Sequence, residues 1–131
     1  MTRTVIESKT KTTVIGFDEP FCVIGERINP TGRKILNEEL ECGDFTRVQA
    51  DAIAQAAAGA AVLDINSGAV FSNKMAEDPR YADNNFVEPA LMKALVEKVQ
   101  EVTDCPLCID SSVPGALENG LAAAEGRPLL N

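Results

Sequence analysis

The sequence predicts an α/β fold organised around a parallel sheet, and three observations carry that prediction. Short apolar runs rich in β-branched residues alternate with longer stretches of helical periodicity. Their order is strand, helix, strand, helix, strand, helix, strand, which implies parallel strands joined by right-handed crossovers. Each apolar run also finishes in carboxylates, amides or hydroxyls, as strands do at the active-site face of an α/β barrel. A complete eight-stranded barrel takes at least ~200 residues, and this chain has 131. Its last apolar run, residues 128–131, has no helix after it to cover an open parallel edge, an arrangement natural proteins usually avoid. The expectation is therefore the N-terminal half of a (β/α)8 TIM barrel, an incomplete chain, preceded by a short β-hairpin. Residues 1–20 would be an N-terminal extension, and residues 21–131 the first four strands with their helices.

The hairpin rests on two β-branched runs, Thr4-Val5-Ile6 and Thr12-Thr13-Val14-Ile15, separated by the polar Ser8-Lys9-Thr10-Lys11. Phe21 to Gly25 is a continuous apolar run between Pro20 and Glu26-Arg27, and reads as a strand buried on both faces. Asn29-Pro30-Thr31-Gly32 carries turn chemistry, and residues 34–41 suit a short helix. Asp44 can cap a helix that runs to Ala58 and stops at Gly59, with Phe45, Val48, Ala52, Ile53 and Ala56 on its apolar face. Residues 61–66 form a second buried strand, and residues 67–85 read as a long loop. The second long helix covers 86–103, with Pro89 tolerated in the first turn and Val87, Leu91, Leu95, Val99 and Val102 as its stripe. Residues 106–110 are a third strand. Pro114 opens a third helix with Leu117, Leu121 and Ala124 on its face and Gly126 as its stop, and residues 128–131 begin the fourth strand.

With 45% apolar and 24% charged residues the chain reads as soluble and globular. Twenty acidic against twelve basic residues give a net charge of −8, which argues against a nucleic-acid partner and against an anionic membrane surface. No apolar stretch approaches the ~18 residues of a membrane span. The opening Met1–Glu7 segment lacks the apolar core of a secretory signal, so a cytoplasmic location is expected. Histidine is absent, which removes His-dependent triads, His general bases and most catalytic zinc sites. Four cysteines, at 22, 42, 105 and 108, do not suggest a disulfide framework.

The polar strand ends are where chemistry is expected. The first strand runs into Glu26, Arg27 and Asn29, the second ends Asp64-Ile65-Asn66, the third Asp110-Ser111-Ser112, and the fourth at Asn131. Parallel strands would gather these residues around one mouth, with Asp64 and Asn66 on the same side of their strand. Asn and Asp supply planar, paired hydrogen-bonding arrays but no strong nucleophile. Such a ring of groups suits a flat polar heterocycle bearing amide and amino functions. The competing reading is that each Asp or Asn caps the helix or loop that follows it.

Four segments together resemble a known family. Val23-Ile24-Gly25-Glu26-Arg27-Ile28-Asn29-Pro30-Thr31-Gly32, Leu63-Asp64-Ile65-Asn66, Cys108-Ile109-Asp110-Ser111-Ser112 and Gly126-Arg127-Pro128-Leu129-Leu130-Asn131 are similar to successive strand motifs of pterin-binding barrels. That family includes methyltetrahydrofolate–corrinoid protein methyltransferases, the folate domain of cobalamin-dependent methionine synthase and, more distantly, dihydropteroate synthase. The Gly-Glu-Arg-Ile-Asn form resembles the methyltransferase branch, because dihydropteroate synthases typically carry an Asn-Val-Thr-Pro-Asp-Ser-Phe type segment there. The resemblance implies that Asp110 and Asn131 bond to a pterin ring, that Asp64 and Asn66 line the pocket floor, and that Glu26, Asn29 and Ser111 belong to the same binding set. It implies methyltetrahydrofolate or tetrahydrofolate as substrate, and a reduced corrinoid (cobalamin) held by a partner protein as the other party to the methyl transfer. It implies no metal of the chain's own, and it places the residues nearest the reacting nitrogen in strands beyond these four. The task left to the protein is positioning and electrostatics, which needs no histidine. The alternatives are a dihydropteroate synthase-like enzyme, or a non-catalytic pterin-binding half-barrel completed as a homodimer.

Other features have plainer readings. Cys105 and Cys108 form a CxxC, but residues three apart in a strand point to opposite faces, so both read as small buried apolar residues. Arg27, Arg33 and Lys34 could meet the anionic tail of a folate or simply pair locally. Glu38, Glu39 and Glu41 read as a solvated face. Phe71, Met75 and Tyr81 either cover the mouth or pack under their own loop.

Overall fold

The fold is described from a computed structural model, which covers residues 2–131. Among these residues β1 (Thr4–Glu7) and β2 (Thr12–Ile15) form an antiparallel hairpin with Val5 opposite Val14. The Ser8 hydroxyl accepts from the amides of Thr10 and Lys11 and closes its turn. A four-stranded sheet follows in sequential order, β3 (Ile24–Ile28), β4 (Val62–Asn66), β5 (Leu107–Asp110) and β6 (Leu129–Leu130), with every neighbouring pair parallel. Between β3 and β4 lie α1 (Lys34–Glu41) and α2 (Thr46–Ala57). Between β4 and β5 lie α3 (Ser72–Glu77), a 3-10 turn (Pro79–Ala82) and α4 (Asn84–Gln100), and α5 (Pro114–Ala123) leads into β6. Among the described residues no helix is long and apolar enough to cross a membrane.

Strand alternation divides the core in two. Ile28, Leu63, Ile65, Leu107 and Ile109 point toward the helices and pack with Val48, Ala52, Leu91, Met92, Leu95, Val96 and Val99. Val62 and Cys108 point the other way and form a smaller cluster with Ile6, Ile15, Cys22 and Leu129. That second cluster exists because the hairpin plugs the N-terminal end of the sheet. Glu7 and Arg127 exchange two backbone hydrogen bonds of 2.9 and 2.8 Å, and Thr13 Oγ1 donates to the Ala61 carbonyl at 2.8 Å. Cys105 joins the helix-side core and Cys108 the opposite cluster, so the CxxC sulfurs lie on different faces.

Several expectations shift. The run 21–25 is not a strand buried on both faces: pairing extends over Ile24–Ile28, and Phe21 is 93% exposed. The reason is position, since β3 is an edge strand with β4 on one side only. In α2 the buried stripe is Val48 and Ala52, while Ile53 is exposed. Residues 67–85 are not structureless, because α3 and the 3-10 turn form there. Glu41 holds α3 in place by accepting from the Asn73 side chain and the Lys74 amide, both at 2.9 Å, so it is buried rather than part of a solvated face. In α5 the buried residues are Ala116 and Gly120, and Leu121 faces out. An added Cβ at Gly120 would lie 2.5 Å from Ile109 Cγ2 and 3.0 Å from Met92 Cγ, so a small residue is what lets α5 approach β5 and α4. Asp83, whose side chain accepts from the Asn85 amide at 2.9 Å, starts α4 two residues earlier than its apolar stripe suggests.

Candidate functional site

The face of the sheet turned away from the helices becomes polar at its C-terminal end. Val62 and Cys108 occupy the lower positions of β4 and β5, and one alternation higher the same face presents Asp64 and Asp110. Glu26 reaches the same point from β3. Oxygens of Glu26, Asp64 and Asp110 all lie within 4.8 Å of one another. Together with Asn131 they line a cavity of about 330 Å³ whose walls are Ile24, Cys108, Leu129 and Leu130. No basic side chain belongs to that lining among the described residues.

Close packing fixes each group. Gly25 lies directly under the Gln55 side chain of α2, where an added Cβ would sit 2.9 Å from Gln55 Cδ and nearer still to Oε1. That oxygen accepts from the Arg27 amide at 3.0 Å and so holds the irregular upper half of β3, where the register with β4 shifts between Gly25 and Ile28. Asn29 donates to Glu26 Oε1 at 3.3 Å and accepts from the Thr31 amide at 3.0 Å. Asn66 accepts from the Gly68 amide at 2.8 Å, which turns the chain at the top of β4. The Ser111 hydroxyl is buried and bonds Glu88 and the Val113 amide, and the Ser111 amide donates to the Asn131 carbonyl at 3.1 Å. Of the residues singled out from the sequence, Glu26, Asp64, Asp110 and Asn131 meet in the cavity and Asn29 stands behind Glu26. Asn66 and Ser111 spend hydrogen-bonding capacity on the backbone and on Glu88 at the ends of β4 and β5.

Asp64 is the most constrained of the set. It is 5% exposed, and its Oδ2 has no hydrogen-bond partner. Burial pushes its carboxyl up to about 7, reinforced by the hydrogen bond with Asp110 and by the negative charges of Asp110 and Glu26, while the Cys108 thiol pulls the other way. The same burial, with Asp64 beside it, pushes the Cys108 thiol up to about 12, so that sulfur is no nucleophile near neutral pH. The three carboxylates could share a proton, accept N–H donors, or hold a hard cation through oxygen ligands. An unfolded Asp titrates near ~3.9, so between that value and about 7 the folded state carries the extra proton. The contribution to stability is therefore largest at the acid end of this window and is lost as pH rises through about 7. Asp64→Asn is expected to melt above wild type on the alkaline side of pH 7 and to converge with it at acid pH. Thermal melts across the window check this, and a constant offset would contradict the assignment.

Residues that sequence patterning did not single out also shape the site. Gln55, Ser67 and Glu88 hold the strand ends from the helix side, and Arg27 and Arg33 pair with Asp51 on α2 rather than lining the mouth. Phe71 is buried in the core, and Tyr81 packs against Phe71 and against Phe86 at the start of α4.

Comparison with known proteins gives two findings. A family model described as "Pterin binding enzyme" matches residues 25–131. The chain is also similar to "Methionine synthase" of Mycobacterium leprae (strain TN), with 29% identity over 109 residues, or 83% of this chain. The match spans 8% of that relative's length.

Proposed function

The chain belongs to the pterin-binding enzyme family, and from that premise we propose that its polar mouth binds the ring of a reduced folate during methyl transfer between methyltetrahydrofolate and a corrinoid protein. In this reading the four-stranded sheet is part of a (β/α)8 barrel, and residues 1–20 are an N-terminal extension whose hairpin, β1 with β2, seals the N-terminal end of the sheet. The observation that carries the proposal is the convergence of Glu26, Asp64 and Asp110 on one face at the C-terminal ends of three neighbouring parallel strands. A pterin presents an amino group and ring N–H groups along one edge, and acceptor-rich carboxylates complement that edge. Ile24, Leu129 and Leu130 give the flat ring apolar walls, and the Asn131 amide can both donate and accept. A protonated Asp64 adds one donor to an otherwise accepting floor.

These residues would bind and orient the ring and leave one face open to the methyl acceptor, which is positioning and electrostatic work. The acceptor would be a reduced corrinoid on a partner protein, whose cobalt supplies the nucleophile. Likeness to a methionine synthase supports this branch of the family, as does the Gly25-Glu26-Arg27-Ile28-Asn29 segment.

Calorimetric titration of the full-length protein with 5-methyltetrahydrofolate tests the first step, and saturable one-to-one binding is expected. Adding a reduced corrinoid protein should then demethylate the folate. Absence of binding defeats the pterin site, whereas binding without demethylation defeats the transfer step alone.

A further inference from the structure

The most deeply buried carboxylate outside the cavity is Glu88, on the first part of α4 and 4% exposed. One of its oxygens, Oε1, accepts hydrogen bonds from the Ser67 and Ser111 hydroxyls, each at 2.8 Å, and both serines are buried. Ser67 directly follows Asn66 and Ser111 directly follows Asp110. Asn66 and Asp110 are themselves register partners at the tops of β4 and β5. Ser111 also accepts from the Val113 amide at 2.9 Å through the same hydroxyl, so its proton is committed to Glu88. Its own amide donates to the Asn131 carbonyl at the end of β6. One oxygen on a helix thus joins the ends of two adjacent strands, and the Ser111 amide links them to a third.

Stability alone does not call for this arrangement. Among the described residues no ion pair includes Glu88. A buried carboxylate without a cation is costly, and replacing such a polar group and its partner with apolar side chains of similar size is often neutral or stabilising. Pro89, next in the chain, fixes the backbone beside it, and Gly115 at the start of α5 lies so close that an added Cβ would be 3.1 Å from Pro89 Cγ. The positive end of α5 is therefore packed against this segment, which offsets part of the charge.

We infer that Glu88 is a positioning residue for the pocket, a single buried carboxylate that ties together the residues following Asn66 and Asp110 and thereby sets how Asp110, and through Ser111 also Asn131, face the ligand. The inference rests on the pterin reading. Its failure is separable, because the geometry has its own readout in backbone amide exchange at Ser111 and Asn131. Glu88→Gln keeps an acceptor oxygen of the same reach without the charge. Ser67→Ala/Glu88→Leu removes the clamp and leaves an apolar contact in its place.

The test measures affinity for 5-methyltetrahydrofolate, melting temperature and amide exchange on the full-length protein. Glu88→Gln is expected to bind within about threefold of wild type, since both hydroxyls keep an acceptor. The double variant should lose about tenfold or more in affinity while staying folded, its melting temperature lowered only by the Ser111 hydroxyl left without an acceptor, with faster exchange at Ser111 and Asn131. Wild-type affinity in the double variant, or an equal loss in Glu88→Gln, overturns the inference. If the double variant does not fold, Ser67→Ala alone decides: about a threefold loss supports the inference and wild-type affinity overturns it. If wild type itself does not bind the folate, the pterin reading falls by itself. Unchanged amide exchange in the double variant then overturns the role of Glu88, and accelerated exchange upholds the clamp.

Discussion

Alanine in place of Asp110 lowers the affinity for 5-methyltetrahydrofolate by at least about 100-fold while the protein stays folded. Asp110 ends β5, is half-buried, and stands beside Asp64 and Glu26 with its oxygens turned to the cavity. A carboxylate there can accept two parallel N–H bonds from an amino-pyrimidinone edge. Each such charge-assisted bond is worth about 1.5–3 kcal/mol, so losing both costs about 3 kcal/mol or more, two decades in affinity. Stability moves the other way, because the substitution removes one of three acidic groups crowded within 4.8 Å. The melting temperature should therefore hold or rise. Calorimetry paired with thermal melts separates the two effects, and wild-type affinity in this variant would remove Asp110 from the site.

Gly126→Ala is expected to destabilise the protein by about 3 kcal/mol or detach its hairpin outright. Gly126 has φ +83°, a conformation costly for any residue with a Cβ. An added Cβ would also lie 2.6 Å from the Ser8 carbonyl oxygen and nearer still to that of Glu7. Both oxygens belong to the hairpin backbone and cannot swing aside as a side chain could. The adjoining pair of backbone bonds between Glu7 and Arg127 would be lost with the approach. Ile6 would then leave the cluster it shares with Val62 and Cys108. Exposure of that cluster is measurable, since Cys108 should become accessible to a thiol reagent at high pH only in the variant. An unchanged melting temperature and unchanged labelling would show that the junction tolerates a side chain.

How far the sequence exposed this arrangement depends on what surrounds each segment. β4 and β5 are central and buried on both faces, so their apolar runs mark them directly, and period-two alternation places Asp64 and Asp110 together at their tops. β3 lies at an edge, where an apolar run need not be a buried strand, and its true span includes Glu26 and Arg27. α3 has six residues and rests on tertiary bonds from Glu41, which no local pattern encodes. α5 buries small residues because it packs closely, so a search for large apolar side chains finds the wrong face. Glu88 is hard to mark from the sequence because the apolar stripe dominates the pattern of its helix. Its spacing of three from Leu91 and seven from Leu95, both buried, was the available signal, an acid in register with the core.

The hairpin carries a consequence for the order in which this protein is made. Its strands leave the ribosome before the sheet they pack against, yet Glu7 must wait for Arg127 before their mutual bonds can form. The intervening sheet and helices assemble through shorter separations, because each strand pairs with the next one in sequence. Synthesis at about 5–20 residues per second therefore leaves the hairpin idle for several seconds, with Ile6 uncovered. Contacts so distant along the chain also slow folding, since the entropy of closing the ring must be surrendered before the bonds repay it. The hairpin is thus translated before the sheet and secured after it, and a nascent chain stalled before Gly126 would display the apolar floor that the folded sheet and hairpin hide.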